Sequence, residues 1–451
     1  MALRTFQIVS FGCKVNQAEG GSLAARLRAA GLVEAPGETA AGLVIVNTCA
    51  VTGEAARQAR QHVRRALRAG AAVAVTGCAA HPAAGDAALR AIPGLLLIEP
   101  DKDLAAERLT QACSAPGEYT AGGTAAGAPS VAGRARALLK IQDGCPASCA
   151  YCIVPKVRPV ARSLPLQEAA REVGRLVAAG FREIVLCGIH LGLYGADLGE
   201  DGSVREKGSG ALSARLQTPS AGPTPPLVDL LDRCLAMPGH FRLRLSSIEP
   251  MEAADALLER MAARPERLCP HLHLPLQSGS DAVLERMRRP YRSAEFLATV
   301  ERIRRTLDRP AVTTDVLVGF PGETEADHQE TLRVCREARV SRIHVFPFSR
   351  RPGTAAAAMA PEVPPGTIRR RRRDVAALGG ELALAYRESL VGTAADVVIE
   401  RVAADGSAEG HSERYVRVRV RALPPGASRR DMVRVTLTGV SGDLLEGVAD
   451  T

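Results

Sequence analysis

The first hundred residues alternate short apolar runs with amphipathic stretches. "FQIVSF", "GLVIVNT" and "AAVAVTG" are aliphatic and β-branched runs of strand length. "EGGSLAARLRAAG" and "GEAARQARQHVRRALRAG" place apolar positions three and four apart, predicting helices that close at Gly31 and Gly70. "GLLLIEP" predicts a further strand, and the alternation as a whole predicts a parallel sheet with covering helices. Residues 113–133, rich in Gly, Pro and small side chains, read as a linker. A second α/β alternation follows to about residue 365, with strand candidates "EIVLCGI", "RLRLSSI", "LHLPLQ", "AVTTDVLVGF" and "RIHVFPF". Residues 199–226 interrupt it and read as a flexible surface insertion. The run Arg369 to Arg373 reads as a solvated helix face, although beside a nucleic-acid-binding unit it would also suit phosphates. Beyond it "ADVVIE", "RYVRVRVRAL", "DMVRVTLTGV" and "DLLEGVAD" are short strands between Gly, Pro and Asp turns, predicting a small β-barrel. These changes of character divide the chain into an N-terminal α/β domain over 1–112, a core over 131–368 and a barrel over 388–451.

At 451 residues the chain exceeds what one hydrophobic core serves, which agrees with that division. No apolar run approaches the ~20 residues of a membrane span, and the first residues carry no signal-peptide pattern, so the expected compartment is the cytoplasm without membrane contact. A net charge of +9 fits a polyanionic partner such as RNA and fits an arginine-rich codon bias equally well. Aromatic residues are only 3% of the chain, which argues against wide stacking platforms for single-stranded nucleic acid. Eleven cysteines, an odd number spread through a large chain, point to metal or redox chemistry and away from a disulfide framework.

The strongest chemical signal is "DGCPASCAYCIVP", which sets Cys145, Cys149 and Cys152 at C-x3-C-x2-C. That spacing wraps three thiolates around one face of a cubic iron–sulfur cluster and leaves the fourth iron without a protein ligand. A structural zinc would want a fourth Cys or His nearby, and the next histidine, His190, is far along the chain. Cys13, Cys49 and Cys78 each follow the apolar run of a predicted strand. The C-terminal ends of parallel strands line one crevice, so these three would converge there as a second three-thiolate site. Singly, each reads as a buried hydrophobe; the shared topological position is what speaks for a site. Cys113, Cys187, Cys234, Cys269 and Cys335 show no ligand spacing and read as structural, and His271 and His273 read as packed, hydrogen-bonded residues.

The C-x3-C-x2-C motif with Tyr151 before its last cysteine resembles the radical S-adenosylmethionine (SAM) superfamily. With "GCKVNQ", "VNTCAVT", "VTGC", "EIVLCGIHLGLYG", "LSSIEP", "CPHLHLPLQSGSDAVLERMRR", "TTDVLVGFPGET" and "HVFPFSRRPGT", nearly the whole chain resembles the methylthiotransferases of that superfamily. "GCKVNQ" is most similar to the branch acting on threonylcarbamoyladenosine beside the tRNA anticodon. The resemblance implies a radical SAM β/α barrel, partial or full (TIM-like), and a C-terminal TRAM domain that binds RNA. It implies two 4Fe-4S clusters, a SAM-binding one on Cys145, Cys149 and Cys152 and an auxiliary one on Cys13, Cys49 and Cys78. SAM cleaved at the first yields a 5′-deoxyadenosyl radical, while the auxiliary cluster carries the methylthio group. It further implies a tRNA anticodon stem-loop as substrate, an electron donor such as flavodoxin or ferredoxin, and a sulfur source.

SAM is expected against Gly188, against Gln277, Ser278 and Gly279, and against Gly319, Gly322 and Glu323, although ordinary strand-to-helix turns would want the same glycines. In "RYVRVRVRAL", alternation puts Arg417, Arg419 and Arg421 on one face, either as a solvated strand or as a contact for RNA phosphates. The cluster loop departs from the family pattern at Pro146-Ala147-Ser148, and the following segment at Lys156, Pro159 and Leu164. Other readings keep the chemistry but act on isopentenyladenosine tRNA or a ribosomal-protein aspartate. A different class is an RNA-binding iron–sulfur protein without catalysis.

Overall fold

The structure, a computed structural model, describes residues 4–113, 134–199 and 226–450. The expected linker and insertion lie, but for their end residues, outside the described residues. Five parallel strands form the N-terminal sheet: β1 (Thr5–Ser10), β2 (Val33–Glu34), β3 (Leu43–Thr48), β4 (Ala72–Gly77) and β5 (Leu97–Ile98). Their order, β2-β1-β3-β4-β5, puts β1, β3 and β4 side by side. The run "GLLLIEP" contributes only the two residues of β5, fewer than expected. Helix α1 spans Lys14–Ala29 and α2 spans Gly53–Arg68. The first helix thus starts at Lys14, one residue past Cys13, and not at Glu19 as its apolar spacing suggested. Its glycines hide the pattern: a Cβ at Gly20 would stand 2.5 Å from Ser10 Oγ, so this helix presses its backbone onto the sheet.

The core is a curved, six-stranded parallel half-barrel. One half holds β6 (Ala137–Lys140), β9 (Glu183–Cys187) and β10 (Arg242–Leu245); the other holds β11 (His271–His273), β12 (Ala311–Val318) and β13 (Arg342–Pro347). Bridges at Leu243↔Leu268 and Ser247↔His273 join the halves. Between β6 and β9 the short strands β7 (Gln142–Asp143) and β8 (Arg162–Ser163) pair across the loop that carries the cysteine motif. "LHLPLQ" breaks its ladder at Pro275, which has no N–H to continue it, and pairs again only at Gln277↔Val316. Alternation sorts the two faces: Ala137, Leu139, Ile184 and Leu186 pack under the covering helices. Leu138, Val185 and Cys187 face inward, where Val15 and Ala18 of α1 lie on them. The N-terminal domain therefore covers one side of the half-barrel with its first helix.

The helix Pro365–Glu388 packs along β13, and five strands then close a barrel in the order β14-β15-β16-β18-β17. They are β14 (Ala394–Val402), β15 (Ala408–Ser412), β16 (Arg417–Val420), β17 (Met432–Ser441) and β18 (Leu444–Ala449). β16 is shorter than "RYVRVRVRAL" suggested, and Arg421 lies just past its end. One arginine of the expected solvated face, Arg371, is instead buried, its Nη1 donating to Glu323 Oε2 at 2.8 Å. The barrel docks at the N-terminal ends of the core strands. There the fully buried Glu183 carboxylate receives Arg242 Nε at 2.7 Å and Arg244 Nε at 2.8 Å. The same two guanidinium groups reach on to the carbonyls of Asp396, His411, Ser412 and Glu413 in the barrel.

Candidate active site

The sheet order brings Cys13, Cys49 and Cys78 to neighbouring strand ends. Cys13 caps α1, Cys49 follows β3 and Cys78 opens a short turn after β4. The approach is close: Gly12, at φ +92°, has room for no side chain, since a Cβ there would stand 2.6 Å from Cys49 Sγ. Buried Asn16 ties these turns together. Its Nδ2 donates to the carbonyls of Phe11 (2.7 Å), Asn47 (3.2 Å) and Thr48 (3.1 Å), and Asn47 Nδ2 donates back to Asn16 O at 2.6 Å. Cys13 is open to solvent while Cys49 and Cys78 are buried. Burial and the neighbouring thiols push Cys49 up to about 11, and desolvation by the turns around it raises Cys13 as well.

The second set sits on the loop after β7. Gly144, at φ +76°, turns that loop hard against Val160 O. Two of the three thiols meet a basic group: Cys145 Sγ lies 3.4 Å from His190 Nδ1, and Arg289 Nη1 donates to Cys149 Sγ at 3.3 Å. His190 Nε2 is 2.6 Å from Glu252 Oε1, and Arg289 pairs with Glu249, so both groups are held from behind. Burial opposes charge on His190, but the Glu252 carboxylate and Cys145 outweigh it and raise its pKa well above the ordinary value. Burial pushes Cys152 up to about 12. A cavity of about 580 Å³ opens beside Cys149 and Cys152, bounded by Lys156, Arg288 and Thr354.

Each set offers three free thiols, the donor chemistry that an iron–sulfur cluster takes. The thiols of Cys13, Cys49, Cys149 and Cys152, raised by burial, stay protonated at neutral pH unless iron displaces the proton. N–H groups aimed at sulfur, as from Arg289 and from Val51 to Cys49 Sγ (3.4 Å), are what tunes such a cluster.

Arg158 joins the two sets. Its Nε donates to Cys78 Sγ at 3.3 Å, while its carbonyl accepts from Cys145 N–H at 3.0 Å. Its remaining donors go to Glu19 (2.7 and 2.8 Å) and Asp143 (2.6 Å). Glu19 also takes Lys140 at 2.8 Å and Lys102. Burial alone would raise the Glu19 pKa; Arg158, Lys102 and Lys140 together hold it far below the usual range. The sequence reading passed over Glu19, Arg289 and Glu252, which carry no spacing signal; only the fold aligns them.

The residues expected around SAM divide into two groups. Gly188, Gln277 and Gly319 follow β9, β11 and β12 and ring the mouth that also bears the cysteine loop. Gly188 has Leu191 Cα and Gln142 Oε1 within 3.0 Å of where a Cβ would be, and Gln277 takes the left-handed φ of +64°. Gly319 and Gly322 have φ of +81° and +74°. Ser278 and Gly279 are turned to the helix Glu325–Ala338, both bonded to Thr331 Oγ1. Glu323 is engaged by Gly319 N–H at 2.6 Å and by Arg371. Arg417, Arg419 and Arg421 lie on the distal barrel, paired with acids: Arg417 with Glu409 and Asp443, Arg419 with Glu409 and Glu446, and Arg421 loosely with Glu446 at 3.7 Å.

A model of the radical SAM superfamily matches residues 139–335, and one described as uncharacterized protein family UPF0004 matches residues 5–95. The threonylcarbamoyladenosine tRNA methylthiotransferase MtaB of Thermotoga maritima is 33% identical over 92% of this chain and 91% of its own. The Bacillus subtilis protein of that name is 32% identical over 92% and 90%. A tRNA-2-methylthio-N(6)-dimethylallyladenosine synthase of Nocardia farcinica is 35% identical over 88% and 78%. Similarity at this level, running from the three-cysteine sheet through the half-barrel into the closing barrel, places the chain in the radical SAM methylthiotransferase family, whose cofactors are SAM and two 4Fe-4S clusters.

Proposed function

We propose that this protein methylthiolates threonylcarbamoyladenosine beside the anticodon of tRNA, at the ring carbon between the two nitrogens. The observation that carries the reading is Arg158, whose side chain touches Cys78 and whose carbonyl binds the Cys145 N–H, so that two three-thiol sites face one crevice. When bound, SAM on the cluster of Cys145, Cys149 and Cys152 supplies a hydrogen-abstracting radical, and the auxiliary cluster on Cys13, Cys49 and Cys78 supplies sulfur. The chain's own work is to hold these groups, admit one base and keep water out. His190 and Arg289 donate to the thiolates of Cys145 and Cys149 and fix their orientation. SAM would lie against Gly188, Gln277 and Gly319 at the mouth, with Ser278, Gly279, Gly322 and Glu323 shaping the turns behind it. Helix α1 covers one side of the half-barrel, which shields the reacting base. A loop nucleotide is already unpaired, which lowers the cost of extruding it into the crevice. Arg417, Arg419 and Arg421 meet the phosphates of the anticodon arm; an electron donor such as flavodoxin or ferredoxin and a sulfur source complete the system in the cytoplasm.

The support for the nucleoside is that two relatives covering nine-tenths of both chains carry the threonylcarbamoyladenosine name. The test is nucleoside mass spectrometry of tRNA after anaerobic incubation with reconstituted protein, SAM, sulfide and reductant. The methylthio mass on threonylcarbamoyladenosine is the expected result; on dimethylallyladenosine it would move the protein to the other substrate. Cys149→Ala is expected to abolish SAM cleavage, and Cys49→Ala to spare cleavage but lose transfer. Equal loss of both in Cys49→Ala would refute the division of labour between the two sites.

A further inference from the structure

We infer that Lys14, reaching into the half-barrel beside Cys13, is the binding group for the carboxylate that distinguishes a threonylcarbamoyl substituent from a dimethylallyl one; this rests on the proposed function. Lys14 is the first residue of α1, and α1 lies on the inward faces of β6 and β9. Its side chain points into the half-barrel, with Nζ 5.6 Å from the ring centroid of Tyr415, which rises from the docked C-terminal barrel at φ +61°. His271 and His273 form the facing wall, both bonded to Thr313 Oγ1, with the His344 ring tilted against His273 at 5.8 Å between centroids. Lys14, Asp315, His344 and Tyr415 are only half-buried, so solvent reaches between them.

Of the other charged groups here, Arg136 is held by Glu183 and Glu400 and Arg244 by Glu183, Arg134 faces Tyr415 and Glu400 without an ion pair among the described residues, and the Asp315 carboxylate lies 3.3 Å from His273 Nε2. Burial, against the pull of Asp315, brings His344 down to about 4, and burial with Arg244 and Lys14 lowers His271 well below its ordinary value, so both are neutral at pH 7. Lys14 makes no ion pair among the described residues, unlike Lys102 and Lys140, which share Glu19. An ammonium with only an aromatic face opposite it is a site for an anion. The two substrate classes named for the relatives differ in this respect: a threonylcarbamoyl group ends in a carboxylate, a dimethylallyl group in two methyls. A base brought to Cys13 carries its N6 substituent on the reacting ring, within the domain of the residue that follows Cys13.

The test compares binding of anticodon stem-loops that carry threonylcarbamoyladenosine as the free acid or as its methyl ester, followed by fluorescence anisotropy with the full-length reconstituted protein. The ester keeps the shape and removes the charge. Wild type is expected to bind the acid about 10- to 100-fold more tightly, as charge-assisted hydrogen bonds allow. Lys14→Met should bind the two alike, and Lys14→Arg should keep much of the preference. A Lys14→Met protein with wild-type iron content and an undiminished preference overturns the inference and leaves the proposed function standing. Equal binding of acid and ester by wild type overturns it too, and needs no variant to fold. In that case the nucleoside mass spectrum decides the proposed function separately.

Discussion

A single buried amide, that of Asn16, spans three carbonyls in the turns that carry Cys13 and Cys49. Replacing it by alanine takes this donor from the Phe11 and Thr48 carbonyls, at about 1–3 kcal/mol for each group left unsatisfied, while Asn47 O keeps the Phe11 N–H at 2.9 Å. Asn16→Ala is therefore expected to lose the auxiliary cluster first. Iron per chain should fall toward half after reconstitution while SAM cleavage persists, and unchanged iron would mean that the strand ends hold their places without the clamp. Glu19 is a second such residue, one carboxylate shared by Arg158, Lys140 and Lys102 between the two domains. Glu19→Gln leaves Lys102, Lys140 and Arg158 with Asp143 as their one remaining acid among the described residues, and removing one partner of a buried pair costs about 3–5 kcal/mol. The expected outcome is a clear fall in the thermal unfolding temperature, read by circular dichroism, larger than for Glu54→Gln on the exposed face of α2. At this scale the cysteines were legible in the sequence because metal ligands impose a spacing. Glu19, Arg289 and Glu252 were not, because a partner that meets its thiol or base only across the fold leaves no period along the chain.

At the scale of elements, the apolar runs located the central strands correctly because strands buried on both faces must be apolar throughout. Where small residues are required, the apolar pattern disappears. β15 reads "AEGHS", with nothing to suggest a strand, yet a Cβ on Gly410 would stand 2.0 Å from Val398 O, so glycine is what lets β14 and β15 cross so closely. Alternation did predict the arginine face of β16, but not the acids opposite it on β15 and β18. Those acids change the forecast for RNA binding. Arg417 and Arg419 must give up short ion pairs to meet a phosphate, whereas Arg421, at 68% side-chain exposure, is held only loosely. Arg421→Ala is thus expected to weaken stem-loop binding more than Arg417→Ala and to lower the slope of log affinity against log salt by about 0.7 to 0.9. Equal effects of the two changes would mean that the acids do not compete with RNA.

The whole molecule is three units closed on one half-barrel: α1 along its side, the cysteine loop at its mouth and the C-terminal barrel beneath its floor. Glu183 holds the floor. Its carboxylate is enclosed by Arg136, Arg242 and Arg244, and the last two carry the barrel's carbonyls on their outer nitrogens. Burial would raise the Glu183 pKa, but Arg244, Arg242 and Arg136 depress it well below the ordinary value. A depressed carboxylate contributes fully above its unfolded pKa, about 4.3, and loses that contribution only as pH falls through the folded value. Docking in the wild type should therefore be as firm at pH 5 as at pH 8. Glu183→Gln removes the charge at every pH and leaves three buried guanidinium groups sharing only Glu400 and Glu413. Limited proteolysis of the junction 389–393, followed by mass spectrometry, reads the difference: wild type resists cleavage across pH 5 to 8, and the variant is cut throughout that range. Because Tyr415 sits on the docked barrel with Lys14 Nζ over its ring, the same variant is expected to lose discrimination between acid and ester stem-loops. An intact junction with that discrimination lost would separate the shape of the floor from the strength of the docking.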